Sequence, residues 1–251
     1  TRGKWVSGGL ALSLLTLTKI VPVLICVPWL VRKQWRPGAY TAAFSLVFLA
    51  LPALWLGPAK TIAMTAEWWN LLRVSASPFM TEHWWNQSLL SALARIFSPN
   101  QFHVNLFDWS LSSVVLLNNA LLALWFAGIV WLGLRREDKR FPSPSFAGAL
   151  DLSHYLVFII LAFPLAFRYH FTAMMFPGML ALTYLLYYAK RDYLVWGLFT
   201  ASFLLGSFVN QEILGSELFE WVHIRSCLTL SAVLMLAVLI RVDVRYRRPA
   251  A

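Results

Sequence analysis

Seven stretches of the chain are almost continuously apolar: residues 8–31, 39–56, 110–134, 146–167, 171–189, 193–209 and 221–240. Each is close to or above the run of about 18 apolar residues that a helix needs to cross a bilayer. The pattern predicts an all-α fold, a polytopic transmembrane bundle of about seven spans. One long interval, 57–108, breaks the pattern. Within it Ile62, Trp69 and Leu72 recur on one helical face, and Leu89, Leu93, Ile96 and Phe97 do so again. Both pieces are too short and too polar to span, so they read as amphipathic helices lying on the membrane surface. Pro78 and the turn Ser98-Pro99-Asn100 separate the pieces.

Polar residues within the runs modify this picture. The first run carries Lys19, Pro22 and Pro28, and both a single tilted helix and a broken pair of half-helices fit it. A broken backbone at membrane depth needs a covering of protein or water. Lys19 is costly in lipid unless it snorkels to an interface. Asp151 reads as a helix-start acid, favoured by the helix dipole, and His154 as a core histidine. Only Arg168, Tyr169 and His170 separate the fourth run from the fifth, which makes those two helices antiparallel neighbours.

Composition agrees with a membrane protein: 59% of residues are hydrophobic, 13% are charged, and the mean hydropathy is +0.65. The net charge of +10 does not indicate a nucleic-acid partner. Most basic residues cluster at 32–36, 135–140, 190–191 and 241–248, in short links between apolar runs. By the positive-inside rule these links are cytoplasmic. The interval 57–108, the turn 168–170 and the acidic loop 210–220, with Glu212, Glu217 and Glu220, then lie on the outer face. Cys26 and Cys227 both sit in apolar runs, which speaks against a disulfide framework or a metal site. The chain 1–251 reads as one integral membrane domain, with 57–108 as an extracytoplasmic loop.

The outer face gathers the candidate chemistry. The stretch 82–95 places Glu82, His83, Asn86, Gln87, Ser88 and Arg95 beside Trp84 and Trp85. Such groups next to a bilayer cost desolvation energy unless they bind something or face water. Together with Arg168 and His170 they suit an anionic headgroup, since Arg forks phosphate and His pairs with it near neutral pH. The plainer readings are a surface loop with interfacial tryptophans and a solvated helix–helix turn.

Three local patterns occur in order. The first is Thr18-Lys19-Ile20-Val21-Pro22 with the basic exit Val31-Arg32-Lys33-Gln34-Trp35-Arg36. The second is Asn86-Gln87-Ser88-Leu89 with Arg95, and the third is Pro164, then Arg168-Tyr169-His170-Phe171, then Pro177. Together they resemble the polyprenyl-phosphate-sugar-dependent glycosyltransferases of the GT-C superfamily. The resemblance is to glycosyltransferase family 87, bacterial α-mannosyltransferases acting on phosphatidylinositol mannosides, and it covers most of the chain.

The resemblance implies an inner-membrane enzyme that inverts the anomeric centre and needs no metal or other cofactor. It implies transfer of a hexose, often mannose, from a polyprenyl-phosphate sugar donor to a lipid or glycan acceptor on the extracytoplasmic face. Carried over by position, Arg168, His170 and Arg95 would lie against the donor phosphate. Asn86, Gln87, Ser88 and Tyr169 would line the pocket, and Lys19 would be the family's intramembrane lysine.

Two departures stand out. Trp85 replaces a glycine that often precedes Asn-Gln-Ser. The family's general base, an acid in the first outer loop, has no counterpart here, and only Glu82 or Asp108 offers a substitute. On this reading the chain is the C-terminal part of a longer GT-C domain and has no transferase activity alone. Two other classes compete. A transporter or flippase would also use Lys19 and broken helices, although no internal repeat is seen. A non-catalytic membrane scaffold is the third.

Overall fold

The structure, a computed structural model, describes residues 2–18, 21–31, 35–74, 83–135 and 143–247. Lys19 and Glu82, both candidates from the sequence, lie outside the described residues. The described residues are helical or irregular, without a strand. By internal packing they form two compact units, Thr1–Ser77 and Pro78–Ala251.

In the first unit α1 (Arg2–Thr18) packs against α3 (Trp35–Ala50). Between them come a 3-10 turn, Val21–Ile25, and the short α2 (Cys26–Val31). Among the described residues the first apolar run is thus α-helical to Thr18 and 3-10 over Val21–Ile25, not one continuous α-helix. The contact of α1 with α3 depends on Gly9. A Cβ there would sit 2.5 Å from the Tyr40 Cβ and 3.1 Å from backbone atoms of Tyr40 and Thr41. Close approach over a small residue lets polar side chains meet, and Ser45 Oγ donates to Ser13 Oγ across the pair at 3.1 Å. Pro52 interrupts the run after α3, and α4 (Ala53–Leu56) completes it. Gly57, at φ +77, then turns the chain into α5 (Pro58–Val74). Ile62, Met64, Trp69 and Leu71 are exposed along α5.

The second unit contains α6 (Leu89–Phe97), α7 (Leu111–Arg135), α8 (Pro144–Ala162), α9 (Met175–Tyr187), α10 (Tyr193–Ser207), α11 (Gln211–Ile224) and α12 (Cys227–Arg247). Its core lies where α8, α9, α10 and α12 meet, around Leu150, Leu161, Tyr184, Val195 and Leu239. Short polar side chains start four of these helices. Ser88, Ser143, Asp192 and Asn210 cap α6, α8, α10 and α11, each accepting from a backbone amide in the first turn of its helix. Because Ser143 and Pro144 begin α8, Asp151 lies two turns inside it rather than at its start.

Among the described residues four helical stretches are long and apolar enough to cross a membrane: Trp35–Leu56, Leu111–Leu134, Ser145–Ala162 and Cys227–Arg245. A fifth arises if α10 and α11, bent by 96°, count as one broken span. The fold is all-α and membrane-type, with fewer qualifying helices among the described residues than there are apolar runs. The fifth run is shortened because Arg168–Met174 winds as a 3-10 helix before α9. The expected acidic loop 210–220 is mostly helical, kinked at Gly215 with φ +74. Asn210 caps it and Glu212 occupies its first turn, where an acid is favoured by the dipole.

Candidate functional site

From His83 onward the chain opens with a stack of rings. Trp84 and Trp85 meet edge-on at 5.2 Å, and His83 packs 4.7 Å from Trp85. A buried polar knot comes next. Asn86 Nδ2 donates to the Pro164 carbonyl (2.8 Å), while its Oδ1 accepts from the Ala166 (3.0 Å) and Ser88 (3.1 Å) amides. Gln87 Nε2 donates to the carbonyls of Trp84 (2.7 Å) and His223 (2.9 Å). The Gln87 amide donates to Ala166 O, and Thr229 Oγ1 donates to Gln87 O. Asn-Gln-Ser thus ties three segments together: its own loop, the Pro164–Ala166 bend and the turn into α12.

Arg95 completes the knot. It is 1% exposed. Its Nη1 donates to the carbonyls of His83 and Asn86, both at 2.9 Å, and to Ser91 Oγ at 2.7 Å. Its Nε and Nη2 both donate to Ser226 Oγ, at 3.2 and 2.8 Å. Ser226 holds φ +59, a left-handed conformation that a side-chain anchor helps to secure. Burial pushes the guanidinium down to about 10, which still leaves it cationic at neutral pH. The three nitrogens of Arg95 therefore all meet protein acceptors.

Arg168 is placed differently. It is exposed, donates through Nη1 to Asn210 Oδ1 at 3.1 Å, and lies 5.9 Å from the Phe219 ring. Two cavities share it, together with Tyr169. One is an aromatic cleft of about 520 Å³ whose walls include Trp84, Trp85, Phe167, Gln211, Glu220 and His223. The other is an apolar groove of about 640 Å³ between α9, α10 and α12, lined by residues such as Phe171, Met179, Phe203 and Met235. Phe171 lines the groove and Phe167 the cleft, whereas Phe163 packs on His170 at 5.4 Å.

His170 lines neither cavity. Its Nδ1 accepts from the Phe167 amide at 2.8 Å, which closes the start of the 3-10 helix. In the neutral ring this puts the proton on Nε2. Asn86, Gln87, Ser88 and Arg95 also lie outside the lining of both cavities. The structure brings Arg168 and Tyr169 together in the walls of both cavities, and buries Asn86, Gln87, Ser88 and Arg95 away from either lining. Asp108 accepts from Asn105 Nδ2 at 2.8 Å, away from the cleft lining. His154 Nε2 lies 3.6 Å from Asp243 Oδ2, with both side chains buried between α8 and α12.

Sequence reasoning misses His223 and Glu220 as cleft residues. In the sequence Glu220 is only one charge of an acidic loop. The two are three residues apart on α11, the spacing that puts side chains on one helical face. That signal becomes readable only once the segment is known to be helical.

The sequence model of glycosyltransferase family 87 matches residues 1–164. No curated protein and no solved structure gives a significant match. The matched region takes in Asn86, Gln87, Ser88 and Arg95 and ends at Pro164, just before the Arg168 turn. It covers well over half of the sequence, and the chain therefore belongs to glycosyltransferase family 87, a family of membrane glycosyltransferases.

Proposed function

We propose that the protein transfers a hexose, mannose by the family resemblance, from a polyprenyl-phosphate donor to a lipid or glycan acceptor on the extracytoplasmic face of a bacterial inner membrane. The observation that carries this reading is the sharing of Arg168 and Tyr169 by an apolar groove and an aromatic, polar cleft. A prenyl-phosphate sugar has the same order of parts: apolar tail, anion, hydroxylated ring. The tail occupies the groove, the phosphate meets Arg168, and the sugar enters the cleft beside the tryptophans. Asn210 holds the guanidinium at one nitrogen, which orients the rest of the fork toward the anion.

The chemistry follows from this placement. An acceptor hydroxyl attacks the anomeric carbon, and the bond from that carbon to the phosphate oxygen breaks. The electron pair leaves with the phosphate, and the hydroxyl proton passes to a base. Charge grows on the phosphate in the transition state, and a fixed cation there stabilises it. His170 and Arg95 are positioning residues in this scheme. His170 closes the turn that carries Arg168, and Arg95 fixes the loop that carries the tryptophans.

The test is direct. Binding of a short-chain prenyl phosphate to the protein in nanodiscs is expected to weaken at least tenfold in Arg168→Ala, about 1.4 kcal/mol. Hexosyl transfer by the complete enzyme in membranes is expected to fall by about 10²–10³. Unchanged phosphate binding in a folded Arg168→Ala variant would show that the anion sits elsewhere.

A further inference from the structure

One residue of the aromatic cleft's wall carries a buried polar atom that lacks a hydrogen-bond partner among the described residues. That residue is His223, which is 2% exposed. The ring is gripped by Phe219, with centroids 4.0 Å apart, and by Trp84 edge-on at 5.9 Å. Its Nδ1 lies 3.1 Å from the Phe219 carbonyl. A carbonyl only accepts, so Nδ1 carries the proton. In the neutral ring the lone pair is then on Nε2, and that is the atom with no hydrogen-bond partner among the described residues. A buried acceptor left empty is destabilising, and such groups are normally matched by a ligand or a water.

The surroundings define the kind of donor that fits. Trp84 and Trp85 offer flat apolar faces, while Gln211, Ser216 and Glu220 line the same space. A ring with apolar faces and a rim of hydroxyls matches both. We propose that His223 reads one hydroxyl of the transferred sugar, with Nε2 as the hydrogen-bond acceptor. This inference rests on the proposed placement of donor tail and phosphate, and adds the contact that recognises the sugar. A site built to accept from a hydroxyl rejects the analogue that lacks it, because the acceptor is then left buried and unpaired.

Two lipids separate this contact from the phosphate site: a short-chain prenyl phosphate and the same lipid bearing mannose, each titrated onto the protein in nanodiscs. His223→Phe keeps the bulk of the ring and removes the acceptor. It is expected to leave the Kd for the bare phosphate within about twofold and to weaken the mannosyl lipid about tenfold. A series of monodeoxy-mannosyl lipids checks the same contact from the ligand side and needs no variant. One member is expected to bind the wild type about tenfold more weakly than the parent sugar, and to bind His223→Phe as well as the parent does. If His223→Phe binds the mannosyl lipid normally, or if the wild type discriminates against no deoxy sugar, the assignment of His223 is overturned while the phosphate site stands. Failure of the wild type to bind even the bare prenyl phosphate overturns both.

Discussion

Two arginines that look alike in the sequence have opposite surroundings. Arg95 and Arg168 both read as cations for a phosphate, since each stands among polar residues outside the apolar runs. Arg95 is enclosed by the carbonyls of His83 and Asn86 and the hydroxyls of Ser91 and Ser226. Arg168 stands at the mouth of two cavities. Losing Arg95 should therefore register as lost stability. Arg95→Met strands several buried acceptors and is expected to cost about 3 kcal/mol, read as a lower thermal midpoint in detergent. Arg95→Lys should rescue little, because one ammonium cannot reach both Ser226 and the His83 carbonyl as a planar fork does. Prenyl-phosphate binding, measured on the folded fraction, is expected to persist. The histidines differ in the same way. His154 and His223 are each a lone histidine near an apolar run, and nothing local in the sequence separates them. Only packing shows one beside Asp243, between two helices, and the other in the wall of a cleft.

Helices are more legible in the sequence than their ends. Run length marks the helices at 39–56, 110–134 and 146–167, because burial in lipid demands an unbroken apolar surface. Amphipathic spacing marks α6, whose apolar face must be covered. The acidic segment 210–220 escapes because a helix of 14 residues with charges on its exposed positions has the composition of a loop. The contact between α1 and α3 also leaves only a faint trace, since Gly8 and Gly9 are adjacent and equivalent by composition. In the structure they differ sharply. A Cβ at Gly8 meets nothing within 4 Å, whereas one at Gly9 would overlap Tyr40 at 2.5 Å. Gly8→Ala is expected to leave stability unchanged or slightly raised, by up to about 1 kcal/mol from helix propensity. Gly9→Ala is expected to cost about 1–3 kcal/mol by forcing the helices apart. A pair of thermal melts compares them, and equal midpoints would mean that α1 and α3 do not pack this closely.

At the scale of the molecule, hydropathy alone reveals the class. It does not reveal the meeting of two cavities at one turn. In the sequence only residues 168–170 separate the fourth apolar run from the fifth, a very short link between two helices. Pro164 ends α8 early, however, and the 3-10 helix after it brings Arg168 and Tyr169 to the rim of both spaces. On the groove side of that rim, Met175, Met179 and Phe203 line the cavity and are also exposed on the outer surface of the helices. In the proposed function such a surface faces acyl chains, and the donor's tail enters the groove sideways from the bilayer. A lipid-linked donor arriving by that route is never counted per litre of water; what the protein meets is its density in the plane of the membrane. Diluting the donor with inert phospholipid, at constant donor per volume, is therefore expected to slow transfer in proportion, and in micelles the apparent KM should climb with detergent. Rates that track bulk donor concentration through such a dilution would mean that the ligand comes in from the water instead.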